Sequence, residues 1–117
     1  MSKNKFKNTF VEIELETGET VRGTLGYFWL YGLKNSRKDV YDAYNRIMVN
    51  GPKEELENVT ILYASYLCAV LADGGDLKEA MSEEDFMGVL SPDREYMGQL
   101  LGALIKGKKA KASAKHS

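Results

Sequence analysis

The residue types that carry catalysis are scarce in this chain, and their positions argue against catalysis. The one histidine of the 117 residues, His116, stands next to the C-terminal serine in a Lys/Ala/Ser-rich stretch. A side chain there is not expected to be held in the fixed geometry a general base or ligand needs. The one cysteine, Cys68, lies inside Leu67-Cys68-Ala69-Val70-Leu71. It is expected to be a small buried hydrophobe rather than a nucleophile, and a single cysteine excludes an internal disulfide. No cysteine/histidine cluster exists for structural zinc. Gly23-Thr24-Leu25-Gly26 lacks the Gly-Lys-Ser/Thr that would complete a phosphate-binding loop. Glu83, Glu84 and Asp85 follow Ser82, which is the pattern of a capped first helical turn. Asp73-Gly74-Gly75-Asp76 is too short for a calcium loop and is read as a helix terminator. The sequence therefore predicts no catalytic residues, no metal, no cofactor and no small-molecule substrate. For want of a nucleophile–base pair, it is not read as an enzyme.

The remaining chemistry is that of contact. Tyr27-Phe28-Trp29-Leu30-Tyr31 concentrates four aromatics in five residues. At helical spacing Leu25, Phe28, Trp29 and Gly32 share one face, while Tyr27, Leu30 and Tyr31 take the other. Two readings follow. A hairpin and a long helix cover both sides, or part of the run faces a partner, since Trp and Tyr dominate interface hot spots. Tyr27, Trp29, Leu30 and Tyr31 are the candidate partner-binding residues.

These residues need elements to position them. Val11, Ile13 and Leu15 alternate with Glu12, Glu14 and Glu16, and Thr17-Gly18 is a turn signal. The period of two predicts a β-hairpin over about residues 9–23, with one buried face. Residues 24–34 are expected to form the aromatic helix, despite Gly26 and Gly32. Ser36 and Asp39 have capping-box spacing, and Val40, Tyr41, Tyr44, Ile47 and Met48 then recur at helical spacing. Asn50-Gly51-Pro52 closes that helix. Residues 54–72 read as a helix apolar nearly all round, the signature of a central core helix. Leu77–Met81 adds a turn or two. Ser82 opens a further helix, and Ser91-Pro92-Asp93 opens another with Ser91 as cap, its apolar face carried by Tyr96, Leu100, Leu101, Leu104 and Ile105. The fold class is α+β, mainly α: an N-terminal β-hairpin packed on a bundle of four to five helices. Residues 1–105 form one domain, and residues 106–117 are expected to be a disordered Lys-rich tail.

The net charge of −1 conceals an asymmetry. Residues 1–53 hold nine Lys/Arg and six Asp/Glu; residues 54–105 hold two and eleven; residues 106–117 hold five lysines and no acid. An acidic middle repels a phosphate backbone and steers basic or amphipathic protein surfaces toward it. No stretch approaches the roughly 18 apolar residues of a membrane span. The basic start, with Lys3, Lys5 and Lys7, leads into alternating Val and Glu, so it is not read as a secretory signal.

The order of elements resembles the tail assembly chaperones of long-tailed phages and prophages of Gram-positive bacteria. The resemblance rests on Phe10-Val11-Glu12-Ile13-Glu14-Leu15, Leu30-Tyr31-Gly32-Leu33, the Leu62–Leu71 helix and Phe86-Met87-Gly88-Val89-Leu90, and covers roughly residues 8–105. It implies viral morphogenesis in the bacterial host cytoplasm. Such proteins bind the tape measure protein, keep it soluble and help tail tube protein polymerise around it. Many also exist in a longer frameshifted form, and Gly107-Lys108-Lys109 is compatible with an A-rich slippery run. The resemblance transfers no binding residues. The alternative is a small regulatory nucleic-acid-binding protein using the basic helices around 34–49, with Lys34, Arg37, Lys38 and Arg46. The sequence leaves self-association into a homo-oligomer open.

Overall fold

The computed structural model describes residues 10–108. The basic N-terminal segment, His116 and the lysines from Lys109 onward lie outside them, as does the proposed frameshift region beyond Lys108. The described chain is α+β and mainly α, as the patterning predicts: a two-stranded antiparallel hairpin followed by five α-helices.

Strand β1 (Phe10–Glu14) pairs with β2 (Thr20–Thr24), with Phe10 opposite Thr24 and Ile13 opposite Val21. The alternation sorts the faces. Ile13 and Leu15 are buried, while Glu12, Glu14 and Glu16 are exposed. Gly18 has φ +94, a conformation that suits glycine, and donates to the Leu15 carbonyl at 3.0 Å. The outer edge of β1 is not left open. Glu14 N–H donates to the Tyr96 hydroxyl at 2.9 Å, and Glu16 N–H donates to the Val89 carbonyl at 2.8 Å. The C-terminal helices thus blunt an edge that could otherwise pair with another chain.

Helix α1 spans Tyr27–Ser36, α2 spans Lys38–Asn50 and α3 spans Glu57–Ala72. Residues Ile61 through Ala69 of α3 are all buried. The hairpin, α1, α2 and the C-terminal helices pack around it, which makes α3 the central helix its composition predicts. Strand β2 comes closest at Gly23, where a Cβ would lie 2.5 Å from Ser65 Oγ. Only glycine permits that approach.

A short 3-10 turn, Leu77–Glu79, leads to α4 (Glu83–Val89) and α5 (Arg94–Lys108). Tyr63 OH donates to the Met81 carbonyl at 2.8 Å, and Met81 N–H donates to the Tyr66 hydroxyl at 3.0 Å. The same two rings pack against the fully buried Phe86, so α3 holds α4 by both polar and apolar contacts.

Several helix ends differ from expectation. Ser36 is the last residue of α1 rather than a cap; Arg37 stands at the N-cap of α2 with no side-chain cap bond. Asp39 is turned instead to the Arg37 guanidinium. Helix α3 starts at Glu57, and Leu56 before it is 59% exposed. Helix α5 starts two residues later than Pro92, because the Asp93 carboxylate accepts from both Glu95 and Tyr96 N–H while Ser91 accepts from Asp93 N–H. A carboxylate taking two orphan donors outcompetes a hydroxyl at the cap. Helix α5 also runs to Lys108, three residues into the segment read as a tail.

Candidate partner-binding surface

Gly26 is the N-cap of α1, and its carbonyl accepts from Trp29 and Leu30 N–H. Leu30 and Leu33 are its buried residues. Gly32 faces α3 closely; a Cβ there would stand 3.3 Å from Leu71 Cδ1. That contact decides which side of the helix turns inward. Tyr27, Phe28 and Tyr31 are left 76%, 59% and 66% exposed.

The candidate set Tyr27, Trp29, Leu30, Tyr31 therefore divides. Tyr27 and Tyr31 lie on the surface. Trp29 is half-buried against the core, with Phe28 edge-on to its ring at 4.7 Å and 84°. Leu30 is a core residue, 6% exposed, and also lines the groove between α1 and α2 beside Tyr27 and Tyr31. It falls inside because Leu30 and Leu33, at i and i+3, form the narrow stripe that meets α3. Phe28 was missed. The signal was available in the helical period, since two residues correspond to about 200° of rotation from Leu30.

Tyr27 and Tyr31 form one bank of a groove between α1 and α2. Tyr41, Tyr44 and Met48 form the other, and the space between is about 320 Å³. Tyr44 is buried at its base, and that burial pushes its hydroxyl pKa up. Tyr41 carries Lys34 above its ring, with Nζ 5.7 Å from the centroid, a cation–π distance. The groove is thus aromatic and thioether-lined with a cation at its rim.

Arg37 between α1 and α2, and Lys38 and Arg46 of α2, are engaged with carboxylates. Arg37 makes two bonds of 3.0 Å to Asp39, Lys38 reaches Asp42 at 2.7 Å, and Arg46 reaches Glu57 at 3.3 Å. The Arg37 guanidinium holds the Asp39 carboxyl below its ordinary pKa, and Asp39 raises Arg37 in turn. Burial pushes the Tyr63 hydroxyl up, against a downward pull from Arg37.

Cys68 is fully buried. Among the described residues no group of three His, Cys, Asp or Glu is placed to hold a metal ion. Every buried side-chain nitrogen or oxygen among them has a hydrogen-bond partner. No helix among them is long and apolar enough to cross a membrane. A surface feature with recognisable chemistry is the aromatic flank of α1. No family model matches this chain, and no curated protein or solved structure matches it either.

Proposed function

We propose that the protein is a tail assembly chaperone that binds the tape measure protein in the bacterial host cytoplasm and assists polymerisation of tail tube protein. The observation that carries this reading is the outward projection of Tyr27, Phe28 and Tyr31 beside an aromatic groove. Tape measure proteins, as the resemblance implies, are long helical chains with apolar stripes. Such a stripe presents side chains at i, i+3, i+4 and i+7, which suits an aromatic groove between two helices. Aromatic anchors bury much area at small cost in side-chain entropy. The acidic body would keep the complex dispersed by repulsion.

The nucleic-acid alternative has weaker support. Three of the four basic residues around 34–49 are paired with carboxylates, and phosphate contacts would have to displace those partners.

The test is co-expression with the longest helical open reading frame downstream of the gene. The expected outcome is a soluble partner that co-purifies with the chain. Tyr27→Ala combined with Tyr31→Ala should abolish co-purification while leaving the melting temperature of the free chain unchanged. A partner that stays insoluble, or one retained equally by the double variant, refutes the reading.

A further inference from the structure

The groove between α1 and α2 is built from two matching stripes. Tyr27, Tyr31 and Lys34 stand at i, i+4 and i+7 of α1, and Tyr41, Asn45 and Met48 stand at the same spacing on α2. Each stripe is two turns long, so the seam between them runs for about 10 Å. A single residue, Arg37, joins the two helices, and beside that joint the Lys34 ammonium lies 5.7 Å from the Tyr41 ring centroid. The end of the groove next to the joint is therefore cationic, while the rest of its lining is uncharged.

The charges around the seam leave one group over. Helix α2 carries two acids, Asp39 and Asp42, and α1 carries none. Asp39 is taken by Arg37 and Asp42 by Lys38, and Arg46 reaches Glu57 on α3. Lys34 is in no ion pair among the described residues, and no carboxylate lines the groove. What the structure places against its ammonium is the face of Tyr41. A partner lying in the groove covers that ammonium. A partner without an acid beside it takes away water and returns nothing, whereas a carboxylate replaces the lost hydration with an ion pair.

We propose that the groove takes a helical segment of a partner protein whose apolar stripe, about two turns long, ends in a glutamate or aspartate that pairs with Lys34. This rests on the reading of the α1 flank as the partner-binding surface, and adds which segment of a long helical partner is chosen. Many apolar stripes fit an aromatic lining; the carboxylate selects among them. A second copy of this chain is a poorer occupant, because an isologous contact between two such grooves brings two unpaired lysines to one seam.

Two peptides of one composition serve as probes, each a labelled helix with leucines at i, i+3, i+4 and i+7. In the first, glutamates stand in line with the stripe one turn beyond either end, so that one meets Lys34 in either chain direction. In the second, both glutamates stand on the opposite face. Binding to the full chain is read by fluorescence anisotropy. The in-line peptide is expected to bind about three- to fivefold more tightly, as an exposed ion pair allows, and the preference to shrink as salt rises. Lys34→Gln should erase the preference and Lys34→Glu should reverse it, with the melting temperature unchanged because Lys34 is exposed. Tyr27→Ala with Tyr31→Ala should abolish binding of both peptides. Equal binding of the two peptides by the wild-type chain, failure of both to bind, or a preference that survives Lys34→Gln overturns the inference. If the peptides bind equally and the tyrosine double variant still abolishes binding, the α1 surface stands as a docking site without the charge selection. Binding untouched by the double variant overturns both. A dimer in sedimentation that excludes both peptides overturns the inference in favour of a second copy.

Discussion

Gly23→Ala probes the tightest contact between the hairpin and the central helix. The added methyl would lie 2.5 Å from Ser65 Oγ, 3.2 Å from Ser65 Cβ and 3.3 Å from Ile13 Cδ1. None of these neighbours can retreat cheaply. Ser65 is fully buried and its hydroxyl donates to the Leu62 carbonyl at 2.7 Å, while Ile13 is fully buried in the core. Overpacking of this kind costs about 1–3 kcal/mol. The reduced freedom of the unfolded chain offsets about 0.4–1 kcal/mol, since Gly23 does not sit at positive φ. The net expectation is a loss of about 0–2.6 kcal/mol, centred on about 1.3 kcal/mol, which corresponds to a melting temperature lower by roughly 5–10 °C for a domain near 100 residues. Ser65→Ala alone should cost about 0.5–1 kcal/mol for one local hydrogen bond. Combined with Gly23→Ala it removes the 2.5 Å contact, so the double variant should recover about 1 kcal/mol relative to additivity. Urea unfolding followed by far-ultraviolet circular dichroism measures all four corners of the cycle. A Gly23→Ala variant more stable than wild type, or a strictly additive double variant, refutes the close-approach argument.

Two further outcomes follow from neighbouring residues. Leu30→Ala should destabilise by about 2–5 kcal/mol through a core cavity, while Tyr31→Ala stays within about 0.5 kcal/mol, and the reverse order in urea unfolding would sink the assignment of α1's faces. Asp39→Asn should lower stability by well under about 1 kcal/mol, because the pair with Arg37 is exposed. The Asp39 carboxyl is held low in the folded state, so its contribution is full above the ordinary carboxylate range and disappears as pH falls through the lowered value. A difference between Asp39→Asn and wild type that grows on acidification contradicts this sign.

Much of the architecture was legible because single elements announce themselves. Alternating Val/Ile/Leu with Glu in residues 11–16 can bury one face only as a strand, and Ile13 and Leu15 are inside. Residues 61–69 are apolar on every side, and all are buried in α3. Gly51 closes α2 at φ +82, and Ser82 caps α4 by accepting from Asp85 N–H. Cap choice at α5 was less legible, because Ser91, Pro92 and Asp93 all carry start signals and only the carboxylate's two bonds decide among them.

The aromatic helix shows where sequence reasoning ends. Periodicity alone determined that residues 27–31 would be helical and that a small core could not readily take all of their faces. It could not choose the inward face, because a side chain's own hydrophobicity is the same on either side of a helix. That choice belongs to α3: Gly32 meets Leu71 and Leu30 enters the core, which turns Tyr27, Phe28 and Tyr31 outward. A shallow groove lined by Leu56, Met87 and Met97 arises in the same way. Leu56, Met87 and Met97 lie on three separate segments with no shared period, and only packing of α3, α4 and α5 around one core brings them to a common surface.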